Sequence, residues 1–334
     1  MKAIFYFLTC AAVLTLSTMF AFTSCNDVDN IPIAAESSFS PEFQSLLQDL
    51  ETYNQEFHNS LSTTESRKIG NWFRWARKVI AVAIADVIPT VIFGGPVGIG
   101  IGIFASATAI NANEWAPNAN QIPTSYAQLS TMGKEVVDEY YQLEFTKSGN
   151  TQNNAVELFS LEPSDGSAGT VKGLNVSECG FTHNLTIMQQ FKEKGGIPSD
   201  ITLVIKGINT QLDKLDVTLP SMNTNETIEF LQDVRKNYTD EYGKYCRYFN
   251  DRFPNKSQEI TILHTYFDMC CALESVDSLE EFSIGFIKEI ATTSALTSEQ
   301  RVNIILALNI AVHSITMWYT IAEASESGNW DVNP

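Results

Sequence analysis

The side chains best suited to metal binding or nucleophilic chemistry here are four histidines and six cysteines. Cys179 and His183 stand four residues apart, which places them on one face of a helix. A tetrahedral zinc site would need two further ligands from elsewhere in the chain. A cysteine nucleophile with a histidine base is the other chemistry this pair offers, yet such partners usually come from distant parts of a sequence. On the same helix Phe181, Leu185, Met188 and Phe191 make the apolar side. Thr182, His183, Thr186 and Gln190 lie opposite and are expected towards solvent. His264 and Cys271 also share a face, but seven residues put them roughly 10 Å apart along the axis, too far for one ion. No Gly-x-Ser-x-Gly elbow, lysine-bearing phosphate loop or His-Glu-x-x-His stretch occurs. The reading is therefore no catalytic residue, no metal and no cofactor.

One cysteine stands apart from this chemistry. Lys2 is followed by an apolar run to about Phe22, and Phe22-Thr23-Ser24 leads into Cys25. A basic start, an apolar middle and small residues before a cut site are the marks of an export signal. With cysteine at the junction the pattern is that of a bacterial lipobox, so Cys25 is expected to be the acylated first residue of the mature chain. The competing reading is an uncleaved signal anchor. Cys179, Cys246, Cys270 and Cys271 remain in the body, either as buried thiols or in disulfides, of which a Cys270–Cys271 bond is the least favourable.

The last helix expected, over 298–326, is apolar nearly all round, with Ile304, Leu308, Ile315 and Trp318 on its broad face. Such a helix belongs in the middle of its protein. A narrow stripe of Asn309, His313, Thr316 and Thr320 interrupts it. Buried polar groups need partners, so the stripe is either an internal hydrogen-bond network or the wall of a small pocket. His313 is expected to be buried and bonded within it.

These residues need elements to hold them, and the chain is rich in helix signals. Ser40-Pro41-Glu42 reads as a cap, a first-turn proline and a first-turn acid, followed by Phe43, Leu46, Leu47 and Leu50 at helical spacing. A segment with Trp72, Arg74, Trp75, Arg77 and Lys78 leads into Val79 to Ile110, where Asp86 is the sole charge. In it Gly94, Gly98, Gly102 and Ser106 recur every four residues, a spacing that lets helix backbones approach closely. With Ala81 and Ala85 as a small face on the preceding arm, and with Pro89 and Gly94-Gly95-Pro96 as breaks, this predicts a helical hairpin. The alternation of Val97, Ile99, Ile101 and Ile103 with glycines offers a strand instead. Further helices are expected from Tyr126 and at 176–194, 199–213, 225–250, 257–275 and 278–292. Ile201–Ile205 and Leu215–Leu219 are candidate short strands.

The fold class is accordingly all-α, a helical bundle around the glycine-rich hairpin with at most a minor β element near 200–220. Residues 1–24 are read as signal, 25–40 as a polar tether, 41–122 as the first helix plus hairpin, and 123–334 as a helical domain. An apolar share of 44% is ordinary for a globular chain, and a formal net charge of −18 argues against nucleic acid and against electrostatic adhesion to anionic lipid.

The lipobox, the glycine zipper after a Trp/Arg-rich segment, His183-Asn184, and His313-Ser314 before Trp318-Tyr319 together resemble a group of Bacteroidetes lipoproteins. That resemblance implies a cell-envelope location and no catalytic residues. The expected function is a non-enzymatic lipoprotein of the outer membrane, facing periplasm or cell surface, that binds a partner or serves as structure. The alternative is a membrane-active, antibacterial or pore-forming protein that releases the 79–110 hairpin into a target bilayer. An enzyme with its pocket at the His313 stripe is the third reading.

Overall fold

The computed structural model describes residues 39–61, 69–94, 98–106, 180, 183–188, 200, 202–203, 205–207, 210, 224–237, 242–273 and 275–327. The leader, Cys25 and the tether up to residue 38, the helix expected from Tyr126, Cys179 and Leu215–Leu219 lie outside the described residues. Of what is described, 91% is helical and none is strand, so the fold is all-α. The described residues between 202 and 210 are helical, which removes the strand alternative there.

Helix α1 (Pro41–Ser60) starts as its sequence demands: Ser40 Oγ accepts the Phe43 amide at 3.3 Å and Pro41 occupies the first turn. It buries Phe43, Leu46 and Leu50. Two polar ties fix it to later helices. The Tyr53 hydroxyl donates to the Phe282 carbonyl at 2.9 Å, and the Asn54 amide donates to the Thr265 carbonyl at 3.0 Å.

Helix α2 (Ile69–Phe93) takes in the Trp/Arg-rich stretch and runs on through Pro89, where the sequence suggested a break. An interior proline costs about 3 kcal/mol. Against that stand seven fully buried Val and Ile side chains between Val79 and Val91, each contributing about 1.5–3 kcal/mol. Burial wins, and the helix stays whole. It ends at Gly94, whose φ of 69° is the left-handed conformation that glycine adopts without penalty. The Gly94 amide donates to the Thr90 carbonyl at 3.0 Å, and its own carbonyl accepts from Gly98 at 3.1 Å.

Residues 98–106 are helical, so the alternation of isoleucine and glycine is not a strand. They run back along α2. A first side-chain carbon on Gly98 would sit 2.6 Å from the Pro89 carbonyl oxygen and the Thr90 Cα, and one on Gly102 would strike the Asp86 carbonyl. Two glycines thus let one backbone lie directly on the other, antiparallel, at Asp86 to Thr90 rather than at Ala81 and Ala85. Gly94 serves the turn instead.

The single helix expected over 225–250 is two, α3 (Thr224–Asn237) and α4 (Tyr242–Arg252). Both halves keep their apolar residues on one face, Phe230, Leu231 and Val234 in one and Tyr245, Cys246 and Phe249 in the other, so periodicity hides the break. A 3-10 turn (Pro254–Lys256) leads to α5 (Ser257–Ala272) and α6 (Val276–Thr292), the latter capped by Ser275 through the Ser278 amide. The last helix, α7 (Ser298–Ser327), begins at a reciprocal cap: Thr297 Oγ1 accepts the Gln300 amide, and Gln300 Oε1 accepts the Thr297 amide. Its longest contact is with α2, and the two apolar helices form the middle of the described core.

Candidate functional site

Where α2 and α7 meet, five polar residues are enclosed: Asp86 of α2, His183 and Asn184, and Asn309 and Ser314 of α7. Local sequence explains their supply but not their meeting. Asp86 is the one charge in an apolar stretch, and Ser314 stands about 140° round the helix from Asn309, so α7 shows polar atoms on two sides. Helical residues 183–188 bring His183 and Asn184 to the same place.

The bonds among them are specific. Ser314 Oγ donates to Asp86 Oδ2 in a short contact. His183 Nε2 lies 3.6 Å from the same oxygen, an ion-pair distance rather than a hydrogen bond. His183 Nδ1 is 3.1 Å from Asn184 Oδ1, and Asn184 Nδ2 donates to the His313 carbonyl at 2.9 Å. One turn along α7, Asn309 Oδ1 accepts the Gly180 amide at 2.9 Å. Gly180 must be small, since a side chain would collide with the His313 ring and come within 2.7 Å of Asn309.

A serine, a histidine and an aspartate side by side invite comparison with a hydrolytic triad, and the order of the bonds answers it. A triad needs serine bonded to histidine and histidine to the acid. Here the carboxylate is in the middle: Ser314 donates to Asp86, not to His183. All three residues are fully buried. The arrangement ties three elements together.

The expected site residues fall into two groups. Of the stripe Asn309, His313, Thr316 and Thr320, Asn309 alone is buried, and it is engaged as above. His313, expected to be buried, is half-buried; at that turn its carbonyl accepts the bond from Asn184, and its neighbour Ser314 is the enclosed side chain. Thr316 and Thr320 are half-buried, and the Thr320 hydroxyl donates to the Thr316 carbonyl at 2.7 Å. They are not drawn into the cluster bonds. His183 and Thr186, expected towards solvent, are fully buried. A wheel with one apolar face assumes water on the other, and here that other face meets the α2–α7 pair.

The remaining chemistry-bearing side chains are occupied by packing. Cys246, Cys270 and Cys271 are buried thiols rather than disulfides, and burial pushes the Cys246 and Cys270 thiols well up, which leaves them poor nucleophiles. His264 pairs with Asp268 at 3.1 Å, one turn on. Among the described residues no group of three or more His, Cys, Asp or Glu is placed to hold a metal ion. A shallow groove of about 430 Å³ runs between the start of α1 and the α6–α7 loop, and carries Glu42, Asp49 and Ser294. Glu42 is held below the usual carboxylate range by a backbone amide at the helix start and by Ser40. A scan against protein-family models gives no match, and neither do comparisons with curated proteins and with solved structures.

Proposed function

We propose that this chain is an exported lipoprotein, anchored in the outer membrane through lipid on Cys25, whose helical body works by binding or as structure rather than by catalysis. In this reading the hairpin of α2 and residues 98–106 is the centre of a helical bundle, and the partner is a surface protein or a target membrane. The observation that carries it is the enclosure of α2: from Val79 to Val91 every residue is buried by the protein's own chain. A segment covered in this way does not serve as the anchor, and that role passes to Cys25. Acyl chains at about 0.8 kcal/mol per buried methylene hold a two- or three-chain anchor in the bilayer without help from the body.

The test is metabolic labelling with a fatty acid in a host that processes lipoproteins. The full chain is expected to take up label and Cys25→Ala to take up none. Absence of label in the unaltered chain overturns the reading.

A membrane-active role has one observation in its favour. Within α7, Ser298–Ile321 is long and apolar enough to cross a membrane, and it lies along α2. Most of that stretch is buried, as in the core helix of a soluble protein, so the structural role is preferred.

A further inference from the structure

The amide of Asn184 reports on the protons of the buried cluster. Its Nδ2 is committed to the His313 carbonyl, which leaves Oδ1 towards His183 Nδ1. An amide oxygen only accepts, so Nδ1 carries a hydrogen. The other ring nitrogen, Nε2, then faces the Asp86 carboxylate from 3.6 Å, with both residues fully buried. A bare Nε2 would set its lone pair against a buried anion. One proton held between them makes the pair neutral, and Ser314 adds its own hydrogen to the same carboxylate oxygen.

The surroundings supply no other compensation among the described residues. Opposite Asp86 the return arm presents Gly102, which has no side chain. The other buried charged side chains are engaged elsewhere, Glu259 with Lys256 and Arg301 with carbonyls of the α6–α7 loop. Besides Asp86, the buried residues of α2 from Val79 to Val91 are Val, Ile and Ala with Pro89 and Thr90, and most of those of α7 are Ile, Leu, Ala and Val. Such surfaces repeat every turn, so apolar packing by itself tolerates a shift of about 5.4 Å along the axis. A shifted α2 would leave Asp86 alone among apolar side chains, which a buried charge does not tolerate.

We infer that Asp86 and His183 hold one proton between them as a neutral lock, closed by Ser314, that selects a single register for α2, residues 183–188 and α7. The lock acts by penalising the wrong arrangements. Removing one partner strands a buried charge, whereas removing both leaves the register to apolar packing, the Gly98 and Gly102 approach and the Asn184 and Gly180 bonds.

Two measurements on the full chain test it. In the unaltered protein, labelled at histidine nitrogen, magnetic resonance is expected to show a slowly exchanging proton coupled to His183 Nε2. That signal should change its partner in Asp86→Asn. A bare Nε2 with no such proton overturns the inference, and this readout needs no variant to fold. The second is a double-mutant cycle followed by urea unfolding. His183→Leu is expected to raise the unfolding constant on the order of 100-fold. Adding Asp86→Leu should recover part of that loss, while amide signals from residues 183–188 broaden as registers multiply. Losses that simply add, or a double variant with sharp signals, overturn it as well.

Discussion

Gly102 shows how a single missing side chain is used in this protein. Its α-carbon lies against the carbonyl of Asp86, so an alanine there meets backbone, which cannot rotate aside. Gly102→Ala is expected to cost about 3 kcal/mol by overpacking. Gly94→Ala should cost about 1–2 kcal/mol for the left-handed backbone, with the Asn303 amide 3.2 Å away as a further constraint. Urea unfolding of both variants checks the order; equal losses would mean that the two glycines do the same work. Tyr53 offers a residue-scale test by pH. Burial, with Glu281 and Glu289 nearby, pushes its phenol up to about 12 from the usual 10. A folded value above the unfolded one gives stability that is complete below pH 10 and is lost as pH rises from there to about 12. Tyr53→Phe should flatten part of that alkaline decline, with the buried Tyr266, Cys246 and Cys270 contributing to what remains. An unchanged pH profile would show Tyr53 to be solvated.

At the scale of elements, the junction between α6 and α7 depends on a few polar groups. Arg301 is buried, and its guanidinium donates to the Thr293 carbonyl at 3.0 Å, the Leu296 carbonyl at 2.9 Å and the Ser298 hydroxyl at 3.2 Å. Hydrogen bonds from a charged donor contribute about 1.5–3 kcal/mol each, more than the roughly 1 kcal/mol expected of the Thr297 cap. Arg301→Lys keeps the charge but loses the fork, so it should raise hydrogen exchange at residues 293–297 more than Thr297→Ala does. The opposite order would make the cap the stronger element. Capping was legible beforehand at Ser40, and so was the existence of α1, α5, α6 and α7, because caps and 3.6-residue periodicity are local properties. The division between α3 and α4 was not, since both share a face. Nor was the continuity of α2 through Pro89, where burial supplied from distant residues overrides a local preference.

For the molecule as a whole, the decisive comparison is between a core and a bilayer as the medium for α2 and α7. Inside the protein Asp86 Oδ2 is met by Ser314 and His183, whereas an aspartate near a bilayer centre costs about 2.5–3.5 kcal/mol. A chain lacking residues 1–40, purified without detergent, is therefore expected to stay soluble and to leave liposomes intact, with no blue shift of tryptophan fluorescence. Dye release with such a shift, suppressed by Gly98→Leu, would move the preference to the membrane-active role.

Local chemistry in the chain determined most of the helices, the cap at Ser40, the turn at Gly94 and the close approach available to Gly98 and Gly102, because each depends on residues within a turn or two. The same local information placed Asn309 in a polar stripe and Asp86 in an apolar one. It assigned His183 to solvent, since a helical wheel ranks faces but does not know what covers them. That Asp86, His183 and Ser314 meet was decided by tertiary structure: 228 residues separate the bonded pair of Asp86 and Ser314. Their meeting depends on the packing of α2 against α7, where a buried carboxylate is stable only beside groups that donate to it.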